Sequence, residues 1–211
     1  MCGENRGLKN VSEGTSLFVV IVRSVFHACR ETKVPTTVKG YPAHYESPLT
    51  LKNGREVFLR PILPTDGHLL VDLFNQISPR SRYLRFLGRL PALPNEMLYH
   101  FTHLNYESEF ALVGVIQEDG KDAIIAVGRY AHDPQEDLTD LAVAVRDDWQ
   151  HGGLGKALLA KTIAIGKAHG ICRFESMMDP QNTIIKQILF ELGYEVKYRL
   201  RSGFLQVEIV V

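Results

Sequence analysis

Asp147-Asp148-Trp149-Gln150-His151-Gly152-Gly153-Leu154-Gly155-Lys156-Ala157-Leu158-Leu159, read DDWQHGGLGKALL, is a glycine-rich loop running into an apolar helix. Such a junction aims successive backbone N–H groups and the positive end of a helix dipole at an anion, and its glycines let a phosphate approach the backbone. Spacing decides which phosphate. A P-loop needs GxxxxGK[ST]; Gly155-Lys156 supplies the GK, but Gln150 stands at the first glycine and Ala157 replaces the magnesium-binding hydroxyl. A dinucleotide fingerprint GxGxxG finds Gly153 and Gly155, then Leu158 where the third glycine belongs. QxxGxG, made by Gln150, Gly153 and Gly155, fits without exception.

The signals on either side set the element order. Leu49–Lys52 and Glu56–Arg60 flank Asn53-Gly54, a strong hairpin signal. After Pro61 and Pro64, Thr65 or Asp66 can cap a helix carrying Leu69, Leu70, Leu73, Phe74 and Ile77 at helical spacing. Ser78-Pro79 caps a second helix and Pro94 opens a third, running through His103. Strands are expected over Phe110–Gln117, Ala123–Tyr130 and Leu138–Arg146, the first two joined at Asp119-Gly120. The helix after the glycine loop ends at Gly170, a strand Ile171–Met177 follows, and a helix Ile184–Leu192 closes at Gly193. Tyr194–Leu200 and Phe204–Val211 finish the chain as a hairpin across Ser202-Gly203. The result is α+β: a mixed, mostly antiparallel sheet flanked by helices, with one crossover helix launched from the glycine loop.

QxxGxG after a strand and at a helix start resembles the GNAT superfamily of acyl-CoA-dependent N-acyltransferases, whose signature is (Arg/Gln)-x-x-Gly-x-(Gly/Ala). The resemblance spans about Leu49 to Val211. Leu59-Arg60-Pro61-Ile62 with Pro64 and Asp66 is similar to the family's opening. Ser78-Pro79-Arg80-Ser81-Arg82-Tyr83-Leu84-Arg85-Phe86 and Thr139–Gln150 resemble the bacterial protein lysine acetyltransferases of the Pat type, whose larger members carry regulatory or synthetase domains that this chain is expected to lack. The resemblance implies that the phosphate belongs to acetyl-CoA, and that central strands splay to admit it. It implies cofactor contacts from Val143, Ala144, Val145, Gln150, His151, Gly152, Gly153, Leu154, Gly155, Lys156 and Asn182. Asn182 is equally well explained as a helix cap. A Glu ten residues before the Gln is the general base in the Pat branch, and Asp140 holds that position here.

Acyl transfer to an amine needs an unprotonated nucleophile, a polarised thioester carbonyl and a leaving thiolate. A free lysine titrates near 10.4, so at neutral pH a base must take its proton. Asp140 is the candidate, one methylene shorter than Glu and so suited to relay through a water. The alternative reading makes it one carboxylate of an acidic patch with Asp133, Glu136 and Asp137. An N–H near Val143 or Ala144 is expected to meet the oxyanion. Two departures from the family stand out. His151-Gly152 occupies positions where the family often has Arg or Lys, which leaves a cation near the pyrophosphate to His151 and Lys156. Leu189 stands where many members place the Tyr that protonates the thiolate.

Bulk composition narrows the partners. Lys+Arg and Asp+Glu are both 24 in 211 residues, so no net field draws nucleic acid or an anionic membrane. Cys2, Cys29 and Cys172 lack CxxC spacing, which argues against a disulfide framework or zinc site and for a reducing, cytoplasmic compartment; Cys172 is expected in the core. His100 and His103 sit i, i+3 without a helical carboxylate, so no metal is expected. Arg80, Arg82 and Arg85 read as a solvated helix face by default, with recognition of an acidic protein surface as the alternative. The apolar run Ser16–Val22 is too short to span a membrane, and residues 1–45 are expected to be an extension ending in the linker Tyr41-Pro42-Ala43-His44, ahead of a catalytic domain over 46–211. The expected function is acetyl-CoA-dependent N-acetylation, of protein lysines first, of a small amine second. A non-catalytic acyl-CoA sensor is the rival from another class.

Overall fold

The structure, a computed structural model, describes residues 40–211; the short apolar run, Cys2 and Cys29 lie outside the described residues. A hairpin of β1 (Ser47–Thr50) and β2 (Glu56–Pro61) leads to three helices, α1 (Gly67–Gln76), α2 (Pro79–Phe86) and α3 (Asn95–Thr102). Then come β3 (Glu109–Glu118), β4 (Lys121–Asp133) and β5 (Leu138–Val145). The glycine loop feeds α4 (Leu154–Ala168), and β6 (Arg173–Met178), α5 (Thr183–Leu192), β7 (Glu195–Arg201) and β8 (Phe204–Val210) complete the chain. The element order matches the reading of the sequence. No described helix is long and apolar enough to cross a membrane.

The eight strands form one sheet in the order β1-β2-β3-β4-β5-β6-β8-β7, with β5 and β6 its one parallel pair. Every antiparallel pair is held over at least four residue partners, whereas β5 and β6 meet at a single one, Asp140 with Glu175. Beyond that point they diverge.

Two-residue alternation sorts the central strands onto two faces. Gly128 lies against Thr162 and Leu158 of α4, and through the register Val143 and Leu112 share that face. Glu109, Arg129, Asp140 and Glu175 share the opposite face, the one covered by α1 to α3. Leu158 and Ile163 are fully buried in the α4 layer, each stabilising the fold by about 1.5–3 kcal/mol through apolar burial.

Two local devices anchor the start of the domain. Arg60 makes a two-pronged ion pair with Asp66, at 2.6 and 2.9 Å, and both side chains are buried. Asp66 also accepts the Leu63 N–H, so the Arg-Pro opening is a folded corner and the aspartate stabilises it without capping α1 with its side chain. Tyr41-Pro42-Ala43-His44, expected as a linker, leads with Tyr45 into a short turn docked on the core. Tyr45 packs edge-on against Phe110 at 5.3 Å and its hydroxyl meets His169 Nε2 at 3.1 Å. Two apolar rings in five residues are enough to hold it on the core.

Cys172 differs from expectation too. It is exposed, because β6 begins one residue later.

Close approach of α4 to β4 makes Gly128 a sharp test. A Cβ there would stand 2.6 Å from Thr162 Oγ1 and 3.0 Å from Leu158 Cγ. Gly128→Ala is expected to destabilise the fold by about 1–3 kcal/mol through overpacking, measured by urea unfolding.

Candidate active site

The glycine loop sits at the open end of the gap between β5 and β6. After β5 the chain makes a 3-10 turn, Asp147–Trp149, and His151 and Gly153 both take left-handed backbone angles, with φ of 62° and 91°. Gly153 precedes the first residue of α4, so the turn presents the helix's unpaired N–H groups to the gap. Gly155 has an ordinary helical place, and a Cβ there would make only van der Waals contact with Val145 at 3.5 Å. The fold itself does not require glycine at 155.

Neighbouring elements brace this loop. Arg55 donates to the Asp148 carbonyl at 2.9 Å and lies 3.2 Å over the buried Trp149 ring. Asp147 accepts from the Ser78 N–H at 2.8 Å, from Ser78 Oγ at 2.8 Å and from Ser81 Oγ at 2.7 Å. Burial works to raise the Asp147 pKa, but these donors outweigh it and hold the carboxyl below its ordinary value. Gln150 donates its side-chain amide to the Val145 carbonyl at 3.0 Å and to Ser81 Oγ at 3.4 Å. The start of α2 and the glycine loop are thus one bonded unit.

All of the expected site residues except Leu154 and Asp140 line one cavity of about 700 Å³ between β5, β6 and the loop. Leu154 is core, 1% exposed, so only its backbone N–H remains for a ligand. Asn182 lines the cavity and also caps α5, accepting from the Ile185 N–H. Lys156 lines the cavity while pairing with Glu191 at 2.8 Å.

The ladder directs the backbone of β5. The Arg146 N–H is bonded to Ile125 of β4 and the Val145 carbonyl faces Gln150, away from β4. Because N–H and C=O of one residue point the same way and alternate along an antiparallel pair, Ala144 serves the β4 ladder and Val143 faces the gap.

Asp140 stands beside the cavity on a central strand, between Ala131 of β4 and Glu175 of β6. It is therefore not part of the exposed patch of Glu136 and Asp137. Burial pushes its pKa up from 3.8, partly opposed by the charges of Arg85 and Arg129 and by a bond from the Leu141 N–H.

Arg85 corrects the reading of α2 as a solvated face. It lines the cavity with Ser81, one helical turn earlier. Burial and then the charge of Arg129 lower its pKa to about 10. The signal was the i, i+4 spacing of Ser81 and Arg85, which puts both on one helix face. Arg82 is also engaged, donating to the Ile77 and Asn75 carbonyls at the end of α1. His103 stacks on Tyr99 at 3.9 Å, and no metal-competent group of three His, Cys, Asp or Glu occurs among the described residues. Leu189, at the position of the family's acid, is buried at 1% exposure.

Comparison with known proteins agrees with this geometry. The model of the acetyltransferase (GNAT) family matches residues 74–186, over half of the chain. An acetyltransferase of Pseudomonas aeruginosa is 28% identical over 145 residues, covering 69% of this chain and 78% of that protein. Acetyltransferase Pat of Mycolicibacterium smegmatis is 26% identical over 166 residues, 78% of this chain; the chain spans 48% of that longer protein. The crystal structure of the GNAT domain of S. lividans PAT superposes with a TM-score of 0.73 at 28% identity, covering 82% of this chain and all of that one. A sheet that opens at one parallel pair, a glycine loop at the opening and a family match across both make the chain a member of the GNAT acetyltransferase family, and an N-acyltransferase.

Proposed function

We propose that residues 46–211 form a catalytic domain that transfers the acetyl group of acetyl-CoA to an amine, with lysine side chains of proteins as the acceptors. The observation that carries the reading is the single-pair contact of β5 with β6 beside Asp140, with the glycine loop at its open end. The resemblance of Ser78–Phe86 and Thr139–Gln150 to the Pat-type protein lysine acetyltransferases supports lysine as the acceptor. A cytoplasmic location, in keeping with the reducing compartment that the cysteines suggest, belongs to the same proposal.

In this mechanism the N–H groups of the loop from Gln150 to Lys156 grip the diphosphate, and the pantetheine arm lies along the gap-facing backbone of β5 with Asn182 across from it. The Val143 N–H donates to the thioester oxygen as it becomes an oxyanion. Asp140, through a water, takes the proton of the incoming ammonium. The free amine attacks the carbonyl carbon, the C–N bond forms and the C–S bond breaks. As the C–S bond breaks, the extra proton on the attacking nitrogen is released and passes through water to the departing thiolate, since Leu189 offers none.

Asp140→Asn separates this from a silent acyl-CoA sensor. The variant should bind acetyl-CoA as the wild type does in calorimetry while turnover, read as thiol release, falls by about 10²–10⁴-fold. In the wild type kcat/KM should rise with pH through an apparent pKa above that of an ordinary aspartate, a limb absent from the variant. Retention of full rate at every pH by Asp140→Asn excludes the base role.

Stability gives an independent check. The folded pKa of Asp140 lies above its unfolded value, so between the two the native state binds more protons and stability is lost as pH rises. Asp140→Asn should therefore melt higher than the wild type at neutral pH, with the difference vanishing near pH 3.

Gly155→Val tests the loop. The fold has room at this position, so the melting temperature should hold within a few degrees, while acetyl-CoA affinity falls on the order of tenfold or more as the side chain blocks the diphosphate.

A further inference from the structure

The face of the sheet that carries Asp140 holds more charge than the proton relay uses. Glu109, Ala131, Asp140 and Glu175 form one row across β3, β4, β5 and β6. Arg129 stands in the next row, opposite Ala111 and Ala142. From above, α2 contributes Arg85 and α3 contributes Phe101, whose ring lies 4.4 Å from the Arg129 guanidinium and 6.0 Å from that of Arg85. His100 of α3 acts on Glu109 from the same side. Ala142, beside Arg129 in that next row, lines the cavity together with Arg85.

Among the described residues neither Arg85 nor Arg129 lies within ion-pair distance of a carboxylate, although Arg60 and Arg146 both do. Arg129 is 6% exposed, and its Nη1 is buried without a hydrogen-bond partner. The Asp140 carboxylate is held by the Leu141 N–H of its own strand, and Glu175 accepts from Gln206 Nε2 at 2.7 Å. Burial pushes Glu109 upward as well, toward its neutral form. Two guanidiniums thus share a poorly solvated spot with their donors uncommitted, and one of them lines the cavity. A buried donor left unmatched is costly, and an arginine fork is shaped to hold a carboxylate.

We propose that Arg85, reinforced from beneath by Arg129, is a carboxylate subsite, so that the acceptor carries a carboxylate close to the amine that is acylated beside Asp140. The inference rests on the transferase reading above and names its acceptor class. The separated charges match a zwitterion: the ammonium is drawn to Asp140 and the carboxylate to Arg85. Once Asp140 has taken the proton its charge is gone, and the acceptor's carboxylate becomes the counter-ion of the two guanidiniums. That carboxylate has two sources, an acidic residue next to a target lysine in a protein or the carboxylate of a free amino acid.

Steady-state kinetics with acetyl-CoA and the full chain distinguish them. A short blocked peptide with Lys-Glu is compared with its Lys-Gln isostere, and free lysine with lysine amide. The wild type is expected to favour the carboxylate-bearing member of at least one pair by about 10–100-fold in kcat/KM. Preference in the peptide pair assigns the acidic protein neighbour, and preference in the other pair assigns the free amino acid. In Arg85→Gln the ratio should collapse toward one; Arg85→Lys should keep part of it, since the charge remains and the fork is lost. Calorimetry with acetyl-CoA shows that each variant is folded. If the wild type acetylates both members of each pair equally, the subsite is excluded and the transferase reading stands. If it binds acetyl-CoA and acetylates none of the four, both fall. Should Arg85→Gln change only the choice between acetyl-CoA and succinyl-CoA, the carboxylate belongs to the acyl group and the proposal is overturned.

Discussion

Two parallel strands that touch at one residue pair organise this molecule. A sheet normally satisfies its backbone by pairing along the whole strand, and an unpaired N–H or C=O inside a protein is costly. Here β5 has β4 along one edge and, past Asp140, no strand along the other. Its gap-facing groups need partners: at one end the Gln150 amide takes the Val145 carbonyl, and at the other the pair of Asp140 with Glu175 joins the two strands. Between these two closures lies Val143. The gap is thus sealed at both ends and open in the middle, where an extended thioester arm can lie along the strand.

Rigidity around the gap comes from polar bonding that ties separate elements together. Asp147 gathers three donors from Ser78 and Ser81, while Arg146 is bonded to Glu118, Asp148 and Gln76. The base of α2, the end of β5 and the glycine loop therefore move as a unit. One consequence is that Arg85, a turn along α2 from Ser81, is carried by the same brace that sets the loop. The groups proposed for the diphosphate, for proton transfer and for acceptor recognition share one rigid frame, as catalysis by positioning requires.

Charge at the site is arranged against stability. Burial raises Asp140 and lowers Arg85, and without an ion pair between them each is less comfortable than a bonded charge. Arg60 and Asp66, both buried, show the alternative: bonded two-pronged, they are structural and chemically spent. Unbonded charge in a cavity stays available to a substrate.

Periodicity and turn residues were enough to find every strand and helix described, because apolar alternation and the Asn-Gly, Ser-Pro and Gly punctuation are local. The QxxGxG spacing likewise marked the glycine loop at the start of α4, since a tight left-handed turn at a helix start is written in adjacent residues. Spacing along the chain put Arg85 on one helix face with Ser81, but could not show that this face turns inward, that Cys172 lies outside its strand, or that Tyr45 docks on the core. Nor could it choose between Val143 and Ala144, which depends on the ladder that β5 makes with β4. Those outcomes are decided by contacts between residues far apart in sequence. Local pattern determined the elements and the loop; only the register of the sheet and the packing of α2 and α3 over it brought Asp140, Arg129 and Arg85 to one place.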